Sequence, residues 1–264
     1  MADCMDGLRR DFLIEDLHAV ASEVGVTGAI LVECERTVDE TLWLSAIANR
    51  SDLICGVVGW APLTSSTIVS DLERIAGLPK MKAVRHPIHD EVDDQFVLRQ
   101  DFNQGIDALD QFGLRFDILI FERHLPQTIQ FVDRHPNQVF ILDHIAKPRI
   151  RDRVLSPWKE NLTELACRQN VYCKLSGLVT EANWHTWSGE DLRPYMETAL
   201  EAFTPKRVMF GSDWPLVTLA SSYRRWWDTV RGWIAKLSPT EREWILSRTA
   251  QEAYGLGASD SKKA

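Results

Sequence analysis

Apolar residues along the chain follow two alternating rhythms. Residues 12–24 carry helical spacing, with Phe12, Leu13, Leu17, Val20 and Ala21 on one face and Gly25 as the stop. A short β-rich run, 27–32 (TGAILV), comes next. The pattern then predicts helices over 38–48, 66–76, 102–112, 125–134, 158–168 and 192–203. Between them it predicts strands over 53–60, 81–85, 115–121, 139–143, 171–175 and 207–210. A Trp-rich helix over 221–236 and a last helix over 240–254 close the chain, and 257–264 reads as a disordered tail. The strands are short, mostly apolar on both faces and joined by helices, which is the signature of parallel βαβ units.

Seven strands are visible where a (β/α)8 barrel needs eight. The chain also begins with a helix, where such a barrel begins with a strand. The fold class expected is α/β: a TIM-like (β/α)8 barrel lacking its first strand, built as one domain over 1–256. The segment 177–190, with Trp184, His185 and Trp187, follows a strand and is expected to be a lid or substrate loop.

Composition narrows the partners. The chain has 264 residues, and its formal net charge of −8 comes without any basic run. That argues against nucleic acid or anionic lipid and for a small-molecule substrate. Five cysteines with no C-x-x-C pair suit free thiols in a reducing compartment. No signal peptide or membrane-length apolar run is present, so a cytoplasmic protein is expected.

In a parallel barrel, chemistry gathers at the carboxyl ends of the strands. Every histidine except His18 and His135 lies at such an end or in the loop after it. The strand at 207–210 stops at Gly211-Ser212, and Asp213-Trp214-Pro215 follows at once. A carboxylate held there can bind a metal or move a proton, or it can cap the next helix. His144 ends another apolar strand, and its imidazole can hold a divalent metal or donate to an oxyanion. Arg85 and His86 can grip a polar substrate or form loop ion pairs with Asp90 and Glu91. Lys147 can orient a substrate oxygen. Lys174 alternates with Cys173 and is expected to face the barrel interior, with Asp213 or substrate as its partner. Trp60, Trp184 and Trp214 can stack on a sugar-like ring or fill core, while His89 and His124 read as solvated loop residues. G-x-S-x-G, G-x-x-x-x-G-K, G-x-G-x-x-G and H-E-x-x-H are all missing.

Three motifs, Ile141-Leu142-Asp143-His144-Ile145-Ala146-Lys147-Pro148, Cys173-Lys174-Leu175-Ser176-Gly177-Leu178 and Phe210-Gly211-Ser212-Asp213-Trp214-Pro215, resemble the amidohydrolase-2 family. Within it they are similar to the branch of sugar lactonases acting on fucono- and rhamnono-lactones. Leu8-Arg9-Arg10-Asp11-Phe12, Gly56-Val57-Val58-Gly59-Trp60 and Val84-Arg85-His86 extend the resemblance over nearly the whole chain, in order. It implies a TIM-like barrel that hydrolyses a carbon–oxygen bond in a lactone. His144 matches the family's middle-strand histidine and Asp213 its last-strand aspartate.

The family opens with a strand ending in His-x-His, which supplies two metal ligands, and this sequence has no H-x-H. That agrees with the seven-strand count and leaves His144 and Asp213 as the family-type ligands for a divalent metal such as zinc. The mechanism expected is water addition to the lactone carbonyl. Asp213 serves as general base and His144 stabilises the oxyanion, with or without a metal. Arg85, His86, Lys147 and Lys174 hold substrate oxygens or face the interior, and Trp214 shapes the pocket. Two alternatives stand beside it. One is a barrel decarboxylase of aromatic acids; the other is an inactive remnant whose open strand edges are covered in a homodimer.

Overall fold

In the computed structural model, which describes residues 3–257, helices and strands alternate in the expected order. A 3-10 turn at Asp3–Leu8 leads to α1 (Ile14–Ser22), β1 (Ala29–Val32), α2 (Val38–Asn49), β2 (Ile54–Gly59), α3 (Ile68–Ala76) and β3 (Met81–Pro87). The chain continues through α4 (Gln100–Gln111), β4 (Arg115–Leu119), α5 (Leu125–Arg134), β5 (Phe140–Leu142), α6 (Trp158–Ala166) and β6 (Val171–Leu175). It ends with α7 (Leu178–Glu181), α8 (Gly189–Phe203), β7 (Val208–Phe210), α9 (Tyr223–Ile234), α10 (Pro239–Glu243) and α11 (Thr249–Ala253). Most of the expected tail, 258–264, lies outside the described residues.

The seven strands form one parallel sheet in sequence order, with β1 and β7 as its two edges among the described residues. This is the α/β barrel architecture read from the sequence, with seven strands. Alternation along each strand separates two faces. Val57, Val84, Phe116, Phe140, Cys173 and Val208 pack under the helices in the main core. Val58, Ala83, Ile141 and Met209 turn to the other face and form a second cluster with Ala253 and Tyr254. Both faces are therefore apolar, which is why the strands read as continuous hydrophobic runs.

Local chemistry fixes the element ends. Thr37 accepts a hydrogen bond from the Glu40 amide at the start of α2, and Ser222 and Ser238 do the same for α9 and α10. Gly105 lets α4 approach the Leu63 carbonyl, which would lie 2.1 Å from a Cβ at that position. The last helix is not the single run expected over 240–254. A π-helical turn at Trp244–Arg248 separates α10 from α11, and the chain then delivers Tyr254 into the inner face of the sheet.

The segment 177–190, expected as a lid or substrate loop, is packed down on the fold. It begins with the short helix α7, and its tryptophans pin it down. The Trp187 indole is buried, donates to the Ala220 carbonyl at 2.7 Å, and lies under the Arg225 guanidinium at 3.8 Å. Trp184 donates to the Thr180 carbonyl, and of Trp184, His185 and Trp187 only His185 is exposed. Among the described residues, no helix is long and apolar enough to cross a membrane.

Candidate active site

The carboxyl ends of β5, β6 and β7 bring three polar side chains together. His144 lies just beyond β5, Ser176 just beyond β6, and Asp213 three residues beyond β7. The His144 ring places Nδ1 2.8 Å from the Ser176 Oγ and Nε2 3.8 Å from the Asp213 Oδ1. The sequence-level pairing of His144 with Asp213 is thus realised at one end of the sheet.

The backbone works to hold this arrangement. His144, Ile145, Ala146 and Lys147 all have positive φ, between 46° and 63°, and Asp213 sits at 54°. For residues with a Cβ, the left-handed region costs about 1–2 kcal/mol each. Such strain persists only where surrounding structure enforces it, and it gathers at functional sites. Here the enforcing contacts are visible. Ile145 and Ala146 are fully buried, and the Trp158 indole donates to the Ile145 carbonyl at 2.8 Å. Gly177, itself at φ 69°, faces the imidazole so closely that a Cβ there would fall 2.7 Å from the His144 Cγ.

Burial and charge set the protonation states. Burial, aided by the Lys147, Lys174 and Arg85 cations, pushes His144 down to about 3, so its ring is neutral at ordinary pH. Burial pushes the Asp213 carboxyl up to about 7, with nearby Asp143 adding to the rise and Lys147 opposing it. A carboxylate poised near neutrality beside a neutral imidazole is suited to accept and return a proton.

Beneath this pair runs a buried ladder of alternating charge. Arg85 Nε meets the Glu33 carboxylate at 2.7 Å, and its Nη1 meets Asp143 at 3.0 Å. Lys174 Nζ bridges Asp143 at 2.6 Å and Asp117 at 2.5 Å, and the Tyr254 hydroxyl donates to Asp117 at 2.7 Å. Burial raises Asp117 to about 6 against the pull of Lys174, whereas Lys174, Arg85 and His144 together hold Asp143 well below the usual carboxylate range.

The ladder corrects two expectations. Lys174 does face the interior, but its partners are Asp117 and Asp143 instead of Asp213 or substrate. Arg85 is occupied by Glu33 and Asp143 and is not a free substrate grip. His86 is directed to the helix side, because strand alternation opposes it to Arg85. It stacks on Phe96 at 5.0 Å and hydrogen-bonds Glu91 at 2.8 Å, so it lies apart from the pair. Lys147 stays at the rim, 3.9 Å from Glu181 and 5.4 Å from the Phe121 ring centre. His89 packs edge-on against the same ring at 5.1 Å, and burial with Lys147 nearby lowers it to about 4. His124 is buried with its Nε2 2.8 Å from Asp94, so neither histidine is the solvated loop residue expected. Trp214 is half-buried, with its ring against Phe12 at 5.4 Å.

Glu33, Asp117, Tyr254 and the role of Ser176 escaped the sequence reading. Glu33 follows the first strand directly, and Asp117 is the one carboxylate within β4; both were readable signals. Tyr254 lies 137 residues from Asp117 and gave none.

The donor set fits a metal poorly. Among the described residues, no group of three or more His, Cys, Asp or Glu side chains converges on a metal-sized site. His144 and Asp213 supply two ligands where catalytic zinc takes three from protein, and the adjacent carboxylates are already matched by Lys174 and Arg85.

Known proteins are similar to this chain over most of its length. An L-fucono-1,5-lactonase of Burkholderia multivorans (strain ATCC 17616 / 249) is 37% identical over 263 residues, spanning 96% of this chain and 88% of that protein. An L-rhamnono-gamma-lactonase of Scheffersomyces stipitis is 26% identical, spanning 94% and 90%. A crystal structure of an amidohydrolase from Burkholderia multivorans with bound zinc superposes with a TM-score of 0.92 at 37% identity, over 97% of this chain and 93% of that one. The family model described as Amidohydrolase matches residues 6–256, and the chain belongs to that family.

Proposed function

We propose that this protein hydrolyses a sugar-type lactone of the L-fuconolactone or L-rhamnonolactone kind. The 3.8 Å approach of His144 Nε2 to Asp213 Oδ1, at one end of the sheet, carries the reading. The names borne by the relatives support the substrate class, and the pair supplies the chemistry that class needs. A lactone carbonyl is electrophilic enough for water, given a base for the water and a donor for the oxyanion.

Asp213 takes a proton from water as the oxygen bonds to the carbonyl carbon. The imidazole of His144 stabilises the resulting oxyanion. The tetrahedral centre collapses with cleavage of the ring C–O bond, and Asp213 returns its proton to the leaving alkoxide. The product is the open hydroxy acid. Lys147, at the rim in a long ion pair with Glu181 at 3.9 Å, is placed to attract the substrate's ring oxygens. One similar structure holds zinc; bound here, such an ion would polarise the carbonyl, but His144 and Asp213 alone are too few to hold it, so no step relies on it.

The test is an assay of the purified protein with L-fucono-1,5-lactone and L-rhamnono-γ-lactone beside Asp213→Asn. Turnover of one of them by the parent, reduced about 10²- to 10⁴-fold in the variant, is expected for loss of a general base. Comparable turnover by the two proteins overturns the assignment.

A further inference from the structure

His144 reads in two ways from its position alone. Carrying its proton on Nδ1, the ring would present a lone pair at Nε2, able to accept a proton or ligate a metal. Carrying it on Nε2, the ring would present a donor. Only one of these does the work assigned above.

The surroundings of the ring decide between them. Ser176 is 2% exposed, and its Oγ has no hydrogen-bond partner among the described residues other than His144 Nδ1, at 2.8 Å. Gly211 packs against the same serine, so tightly that a Cβ there would fall 2.8 Å from the Ser176 Cβ. Gly177 closes the face of the ring. The imidazole is therefore gripped from β6 and β7 and addressed by one hydroxyl. A hydroxyl both donates and accepts, whereas each nitrogen of a neutral ring does one or the other. With the proton on Nδ1, the buried serine O–H would have no acceptor, and the Nε2 lone pair would face the Asp213 oxygen at 3.8 Å. With the proton on Nε2, the serine donates to Nδ1 and the ring N–H faces Asp213. The second state gives the serine O–H its acceptor and aims the ring N–H toward Asp213, 3.8 Å away and outside hydrogen-bond range; the first leaves a buried donor unmade.

We propose that Ser176 is a positioning residue that locks His144 in the Nε2–H tautomer, so that the ring serves as a fixed oxyanion donor and not as a base. Its catalytic consequence rests on the lactone reading given above; the tautomer itself does not. The proton inventory stays simple. Asp213 alone accepts and returns the water proton, and His144 lends its N–H to the oxyanion without transferring it.

Ring ¹⁵N NMR of the full chain tests the tautomer directly, with the His144 signals identified by their loss in His144→Gln. The parent is expected to show a protonated Nε2 and an unprotonated, hydrogen-bonded Nδ1. Ser176→Ala is expected to mix the tautomers and to lower kcat about 10- to 100-fold, the usual cost of losing a partner that orients a site residue, with KM little changed. Ser176→Thr, which keeps the hydroxyl, should retain the parent's ring signals. A parent ring protonated on Nδ1 overturns the proposal, as does a Ser176→Ala protein with parental signals and kcat. If the alanine variant fails to fold, the parent spectrum alone decides. If the parent shows the expected tautomer but hydrolyses neither lactone, the substrate reading fails while the role of Ser176 in holding the ring stands.

Discussion

Two groups of charges lie a few ångströms apart in this molecule, and they are built on opposite rules. In the ladder Glu33–Arg85–Asp143–Lys174–Asp117, every ion meets an ion of opposite sign within 3.0 Å, and Tyr254 closes the end. At the rim, the ion-pair contact of Asp213 among the described residues is with a neutral imidazole at 3.8 Å, and its backbone is left-handed. Mutual pairing keeps the ladder ionised inside the sheet. Its absence leaves Asp213 to pay the cost of desolvation through a raised pKa. A group whose charge is expensive is one that readily exchanges a proton, so the reactive pair is the underpaired one. The ladder's place is to hold β3, β4, β5 and β6 in register beneath it and to set the local field.

The contrast can be broken at either end. The largest effect on stability is expected in the ladder. Lys174→Met strands Asp117 and Asp143 without their shared cation, and removal of one partner from a buried pair costs about 3–5 kcal/mol. Denaturant unfolding at pH 7 should show that loss, whereas a change within a few tenths would mean that the ladder is not structural.

At the rim the sign reverses. The fold raises the Asp213 carboxyl from 3.8 to about 7, so its contribution to stability is fully present below about pH 4 and is lost as pH rises through 7. Asp213→Asn should therefore unfold at higher denaturant than the parent at pH 8, by at most about 4 kcal/mol for a shift of this size, and should show little gain at pH 4. Equal stabilities at pH 8 would mean that Asp213 is not strained by its ionisation.

A smaller effect sharpens the comparison. Tyr254→Phe removes one hydrogen bond to a charged carboxylate and should cost about 1.5–3 kcal/mol. Because the hydroxyl touches Asp117 and not the rim pair, kcat is expected to stay close to parental. A large fall in kcat with intact stability would join the ladder to the chemistry.

The rim was legible in the sequence and the ladder was only half so. His144 and Asp213 end apolar strands, and a polar group at a strand tip announces itself by interrupting a hydrophobic run. The seven strands were readable for the same reason, since burial on both faces leaves a continuous apolar signal. Register was harder. His86 was grouped with Arg85, yet a period of two residues sends them to opposite faces. Lys174 was assigned inward correctly but given the wrong partner, because partners across the sheet depend on three-dimensional neighbours that sequence spacing does not order. Tyr254 enters only through the break between α10 and α11, a backbone feature with no residue pattern to mark it. Trp187 lies in the segment expected as a lid or substrate loop and anchors it to the fold, because an indole with a buried acceptor packs inward.

The most direct measurement is the pH dependence of kcat/KM for lactone hydrolysis by the intact protein. With Asp213 as the base, the rate should rise with pH through a single acid limb centred at about 7 and then level off, because only the ionised carboxylate can take the proton from water. A profile that is flat across this region, or whose limb falls in the ordinary carboxylate range near 4, would contradict the account.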